Sequence, residues 1–91
     1  MHTLVATRRF QRQGHRVLLK RPDFASTLES TLDALTHDLF QPRLRLHAVR
    51  GKLLGVNGVR VTFGYRITLT LRLTEWIVAL LIVGAHDQVY R

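Results

Sequence analysis

Ninety-one residues make one domain, and a chain this short buries only about 60–65% of the surface it exposes when unfolded. Fourteen Lys and Arg stand against six Asp and Glu, a net charge of +8 with neutral histidines, which points to nucleic acid or an acidic protein segment as partner. The absence of cysteine excludes disulfides, thiol catalysis and Cys-based zinc sites.

His2 to Ala6 reads as a short strand. Thr7 can cap a first helix, in which Phe10, Gly14, Val17 and Leu18 recur at helical spacing and Arg8, Arg9, Arg12 and Arg16 fill the other faces. Gly14 inside that helix should weaken it by about 1 kcal/mol. Arg21-Pro22-Asp23 breaks the pattern, and Pro22 suits the start of a second helix. Phe24, Leu28, Leu32, Leu35 and Leu39 then mark one apolar stripe, and the helix ends near His37. A single short break makes the pair an αα-hairpin.

After Pro42 the period changes. "RLRLHA" alternates, with Leu44 and Leu46 against Arg43, Arg45 and His47. "VRVTF" alternates with Val59, Val61 and Phe63 inward, and "RITLTLRL" with Ile67, Leu69, Leu71 and Leu73 inward. "WIVALLIV" does not alternate. It reads as a central strand buried on both faces, and at about half the length of a membrane span it does not read as a transmembrane helix. Helices followed by strands predict an α+β domain over residues 1–91: an N-terminal helical hairpin packed on a small, twisted, mostly antiparallel sheet. A three-residue loop, Thr62 to Gly64, sets Arg60 opposite Arg66 and puts Gly64 where such loops take a positive φ. Two arginines facing each other repel, a cost that an anion between them would offset.

The glycines of "VRGKLLGVNG" lack the Gly-Lys-Ser/Thr closure of a phosphate loop, so this stretch reads as a basic connection. The five histidines are not paired at metal-ligand spacing, and neither metal nor cofactor is expected. Another chemistry needs none. RNA is cleaved by its own 2′-hydroxyl when a base takes the proton, an acid protonates the 5′-oxygen and cations hold the phosphorane charge. Histidine serves as acid or base near neutral pH, and arginine stays charged. His47, His86, Arg60 and Arg66 form such a set if the fold gathers them, and Tyr90 can stack on a base.

The segment "LHAVRGKLLGVNGVRVTFGYRITL", followed by "ALLIVGAHDQVYR", resembles the RelE/ParE toxin superfamily, most closely its YafQ-like branch. His47, Gly51-Lys52-Leu53, Gly55, Tyr65-Arg66, Gly84, His86-Asp87 and Val89-Tyr90 carry the likeness in order and spacing, and the Arg-Pro-Asp break with the Leu-spaced helix extends it over nearly the whole chain. The resemblance implies a RelE-like fold and a ribosome-dependent mRNA endonuclease, the toxin of a type II toxin–antitoxin pair. It would be silenced by a cognate antitoxin that wraps it with an extended, often acidic segment. His86 would be the proton donor to the leaving oxygen, His47 would assist proton transfer or positioning, and Arg66 would hold phosphate charge. Lys52, Tyr65, Tyr90 and Arg91 would bind substrate.

Three positions depart from the pattern. Arg60 stands where YafQ-like chains can have a second catalytic histidine, Gly64 where many have an acid, and Asn57 where the family has a tryptophan. Either His47 serves as the general base, Asp87 contributes, or the chain is a weak or inactive nuclease. The expected partners are the antitoxin, the ribosome and mRNA, with no membrane, in the cytoplasm; "MHTLVATRRF" lacks the apolar core of a signal peptide. A gyrase-inhibiting toxin of the ParE kind, or a basic RNA- or ribosome-binding domain with weak or no catalysis, would share the same charge pattern.

Overall fold

A computed structural model describes residues 2–49 and 55–85. Their order is β1 (Thr3–Ala6), α1 (Arg8–Lys20), α2 (Phe24–His37), a 3-10 turn (Pro42–Leu44), β2 (His47–Ala48), β3 (Val56–Arg60), β4 (Tyr65–Arg72), a second 3-10 turn (Leu73–Glu75) and β5 (Ile77–Ala85). The strands form one sheet ordered β1-β5-β4-β3-β2. Only β1, beside β5, runs parallel to its neighbour; the other three pairings are antiparallel. The expected α+β hairpin-on-sheet architecture holds, as a mixed sheet with one parallel edge.

Apolar spacing explains which face is covered. Phe10 on α1 and Phe24, Leu28, Ala34 and Leu35 on α2 are buried against Val59, Ile67, Leu69, Val78, Leu80 and Val83 of the sheet. Leu35, Leu39, Leu44, Val59, Ile67 and Leu69 are essentially inaccessible, and each such side chain stabilises the fold by about 1.5–3 kcal/mol relative to its exposed state. Leu32 is only half-buried, and Thr31 takes its place inside. Gly14 faces β5, where an added Cβ would sit 3.9 Å from Val83 Cγ1, an ordinary contact.

Two polar side chains fix α1 to β5. Thr7 caps the helix by accepting the Phe10 N–H at 3.2 Å, and its hydroxyl also donates to the Leu80 carbonyl at 2.9 Å. Beyond the end of β1, Val83 N–H donates 3.0 Å to Gln13 Oε1. A side chain thus replaces the missing strand neighbour and satisfies a buried backbone donor. In this same stretch the β4–β5 register skips Leu81, with Thr68 opposite Ile82 and Leu69 opposite Leu80. This bulge sets both Leu80 and Val83 inward.

Several sequence expectations need correction. "RLRLHA" is not a strand throughout: Pro42 starts a 3-10 turn, Arg45 turns left-handed at φ 48°, and only His47–Ala48 pair. Phe63 points outward at 84% exposure, because β3 ends at Arg60 and the chain bends before Phe63. Thr68 lies on the expected polar face yet is 2% exposed. The strand from Trp76 begins at Ile77, with Trp76 exposed at φ 56°. β5 lies second in the sheet, between β1 and β4, and β4 is central. Its inward residues are buried while Ile77, Ala79 and Ile82 are only half-buried, so it is not buried equally on both faces.

Candidate functional site

Register decides which candidate residues share a face, because cross-strand partners project to the same side. His47 pairs with Gly58, and Gly58 with Thr68. One row along, Arg60 pairs with Arg66, and Arg66 with Gly84. His47, Arg60 and Arg66 therefore lie on one side of the sheet, the side opposite Val59, Ile67 and Leu69. His47 and Arg66 are two strands apart, roughly 9.5 Å, and one row apart, roughly 7 Å. In this structure the Arg66 guanidinium is directed to the turn carbonyls beyond its own row, away from the row of His47.

His47 is exposed, and its Nδ1 lies 2.7 Å from the Arg45 carbonyl. A carbonyl only accepts, so Nδ1 carries the proton and the lone pair of the neutral ring is on Nε2. Arg45 reaches this position with φ 48° and ψ 49°, a left-handed conformation costing a non-glycine residue about 1–2 kcal/mol. The strain turns its carbonyl toward the imidazole.

Arg60 and Arg66 are in register as expected, but their guanidinium groups have different surroundings. Arg66 Nη1 donates to the carbonyls of Thr62 at 2.6 Å, Phe63 at 2.9 Å and Tyr65 at 3.2 Å, closing the β3–β4 turn. Among the described residues these bonds use Nη1 alone, which leaves Nε and Nη2 for an oxyanion. Arg60 lies over the Phe63 ring, 5.4 Å from its centroid. It also borders a cleft of about 400 Å³ with Ser26, Ser30 and Arg43. There Arg43 Nη2 donates to the Ser30 carbonyl at 3.0 Å and to its hydroxyl at 3.1 Å. The turn spans Thr62 to Gly64 between Val61 and Tyr65, with Val61 N–H on the Tyr65 carbonyl at 3.0 Å. Gly64 does not take the expected positive φ; Gly55 is the described glycine that does, at 77°. Tyr65 N–H donates to Thr62 Oγ1 at 3.2 Å, so a side chain helps close the loop.

Tyr65 projects to the other side from Arg66. Its ring packs against Phe24, centroids 4.9 Å apart, and borders a basic cleft beside α1. Lys52, His86, Asp87, Tyr90 and Arg91 lie outside the described residues. Among the described residues no group of three His, Asp or Glu is placed to hold a metal ion, and no helix is long and apolar enough to cross a membrane. Sequence reasoning missed Gln13, Arg43 and Arg45. Gln13 and Arg43 sit in ordinary polar positions with no motif around them, and the left-handed turn at Arg45 has no glycine or asparagine to announce it.

A hairpin of helices on one face of this five-stranded mixed sheet matches the RelE-like fold. Among solved structures the chain is similar to YafQ from Escherichia coli strain BL21(DE3), with a TM-score of 0.80 at 11% identity over 100% of both chains. A copper-bound mutant toxin from Helicobacter pylori gives 0.80 at 21% identity, over 97% of this chain and 98% of that one. The YoeB/ParE toxin from Agrobacterium tumefaciens gives 0.77 at 13% identity, over 94% and 99%. No family model and no curated protein matches the sequence. At these identities the likeness establishes the fold.

Proposed function

We propose that this protein is the toxin of a type II toxin–antitoxin pair and acts as a ribosome-dependent mRNA endonuclease. The observation that carries the reading is the common sheet face of His47 and Arg66, with His47 Nδ1 held on the Arg45 carbonyl. Support also comes from fold relatives that are toxins, one of them solved as the E. coli DinJ–YafQ complex.

The chemistry follows from the residues. His47 Nε2 takes the proton of a 2′-hydroxyl. The 2′-oxygen attacks phosphorus while the bond to the 5′-oxygen breaks, leaving a 2′,3′-cyclic phosphate. His86, placed by sequence after β5, gives its proton to the departing 5′-oxygen. Arg66 donates to the equatorial oxygens as charge builds on them, a contribution that arises in the transition state. Asp87 is the alternative base, Arg60 adds phosphate attraction from the same row, and Lys52, Tyr90 and Arg91 hold the strand. Tyr65, on the opposite face, contacts RNA only where the strand passes round the sheet's end. A cognate antitoxin of acidic sequence would neutralise the +8 surface.

Expression in a bacterial host tests the reading. The parent chain should arrest growth with cleaved mRNA, and His86→Ala should relieve arrest while the protein stays folded. Equal toxicity of that variant would remove His86 as the acid. Arrest with intact mRNA and broken DNA would instead mark a ParE-type gyrase inhibitor.

A further inference from the structure

The side of the molecule away from His47 carries a feature that the cleavage chemistry does not use. Arg9, Arg16 and Lys20 of α1 line one wall of a cleft of about 450 Å³, facing Tyr65 and the last residues of β5, Val83 to Ala85. We propose that this cleft binds the phosphodiester backbone of RNA. The proposal rests on the RNA reading above and adds the path the strand takes.

The charge pattern is the first support. Steps of seven and four residues set the three cations on one side of α1, spread over about 16 Å of helix. The helix holds Arg8, Arg9, Arg12, Arg16 and Lys20 and no acid. The ion pairs of the described residues lie elsewhere, at Arg21–Asp23, His37–Asp33 and Arg72–Glu75. Like charges four residues apart, as in Arg12–Arg16 and Arg16–Lys20, each destabilise a helix by a few tenths of a kcal/mol. A bound polyanion offsets that repulsion.

The walls favour RNA over a protein segment. Protein partners anchor through large apolar or aromatic side chains in desolvated pockets. Among the described residues the exposed large apolar side chains are Val5, Leu19, Phe40, Phe63 and Trp76, and none of them lines this cleft, whose one aromatic, Tyr65, is half-buried against Phe24. Guanidinium forks suit phosphate oxygens.

Position ties the cleft to the cleavage face. Tyr65 and Arg66 are consecutive in β4 and project to opposite sides, opposite Ala85 and Gly84 at the end of β5. A strand that crosses this end of the sheet therefore meets the cleft on one side and Arg66 on the other. The last described residue of β5, Ala85, borders the cleft, and His86 follows it in sequence.

The test compares two double variants of equal charge. Arg9→Gln with Arg16→Gln removes cleft cations; Arg8→Gln with Arg12→Gln removes cations from the outer face of the same helix. Binding of a fluorescein-labelled single-stranded RNA is followed by anisotropy across a salt series, with circular dichroism confirming the fold. The cleft variant should bind at least ~10-fold more weakly, with a salt slope shallower by about 1.4, the value for two lost contacts to a single strand. The outer variant should stay within about threefold of the parent. Equal losses in both would reduce the effect to overall charge and overturn the proposal. So would unchanged RNA binding by the cleft variant, and with a loss of poly-glutamate binding that result would mark a protein site. Single-turnover cleavage of mRNA on translating ribosomes separates this claim from the endonuclease reading. His47→Gln should lose cleavage and keep binding, whereas the cleft variant should regain the parent rate at saturating RNA. A parent that binds through the cleft but never cleaves would sink the endonuclease and leave the cleft standing.

Discussion

Arg60 and Arg66 face each other across β3 and β4, yet their guanidinium groups part, one over the Phe63 ring and the other onto the turn carbonyls. The two residues should therefore respond differently to truncation. Arg66→Ala removes charge-assisted bonds that close the turn and should cost about 1.5–3 kcal/mol in urea unfolding. Arg60→Ala removes a like-charge neighbour together with an exposed cation–π contact and should stay within about 0.5 kcal/mol of the parent. Equal destabilisation would mean that the turn does not depend on Arg66.

Gly14→Ala should raise stability by about 0.5–1 kcal/mol. The helix gains propensity, the unfolded chain loses freedom, and the new methyl meets Val83 at ordinary contact distance. A lower thermal midpoint would show that α1 and β5 pack more tightly than 3.9 Å implies.

Gln13 is the side chain that completes β5 beyond β1. Gln13→Leu would leave the Val83 N–H without an acceptor and should cost about 1–3 kcal/mol. Amide exchange at Val83 should accelerate with it. Unchanged exchange would show that another group accepts this hydrogen.

Thr68 Oγ1 is buried without a hydrogen-bond partner among the described residues. Thr68→Val keeps the shape and removes the unsatisfied hydroxyl, so it should be neutral or stabilise by up to about 1 kcal/mol. A loss of stability there would point to a partner for that oxygen.

Periodicity made the helices legible in the sequence, because Phe24, Leu28 and Leu35 are placed by a 3.6-residue repeat that burial alone enforces. The strand parity of Arg60 and Arg66 was equally legible, since a shift of one residue would have exposed Ile67 and Leu69. Other features depended on contacts distant in sequence. The Gln13 bond to Val83 joins residues 70 positions apart, and the bulge at Leu81 is set by the pairing of β5 with β4. Phe63 follows the alternating pattern but lies past the end of β3, where parity no longer determines direction. Of the candidate site, the shared face of His47, Arg60 and Arg66 could be anticipated from parity. The His47 tautomer could not, because it depends on the backbone twist of Arg45.

The central claim is that His47 is the base of an RNA-cleaving site. The direct measurement is a reconstituted translation reaction with end-labelled mRNA, comparing the parent with His47→Gln. The parent should yield fragments ending in a 2′,3′-cyclic phosphate, formed only on translating ribosomes. His47→Gln should lower the rate by about 10²-fold or more, the usual contribution of a general base, with RNA binding unchanged. Parent-like cleavage by His47→Gln, or intact mRNA after prolonged incubation with the parent, would contradict it.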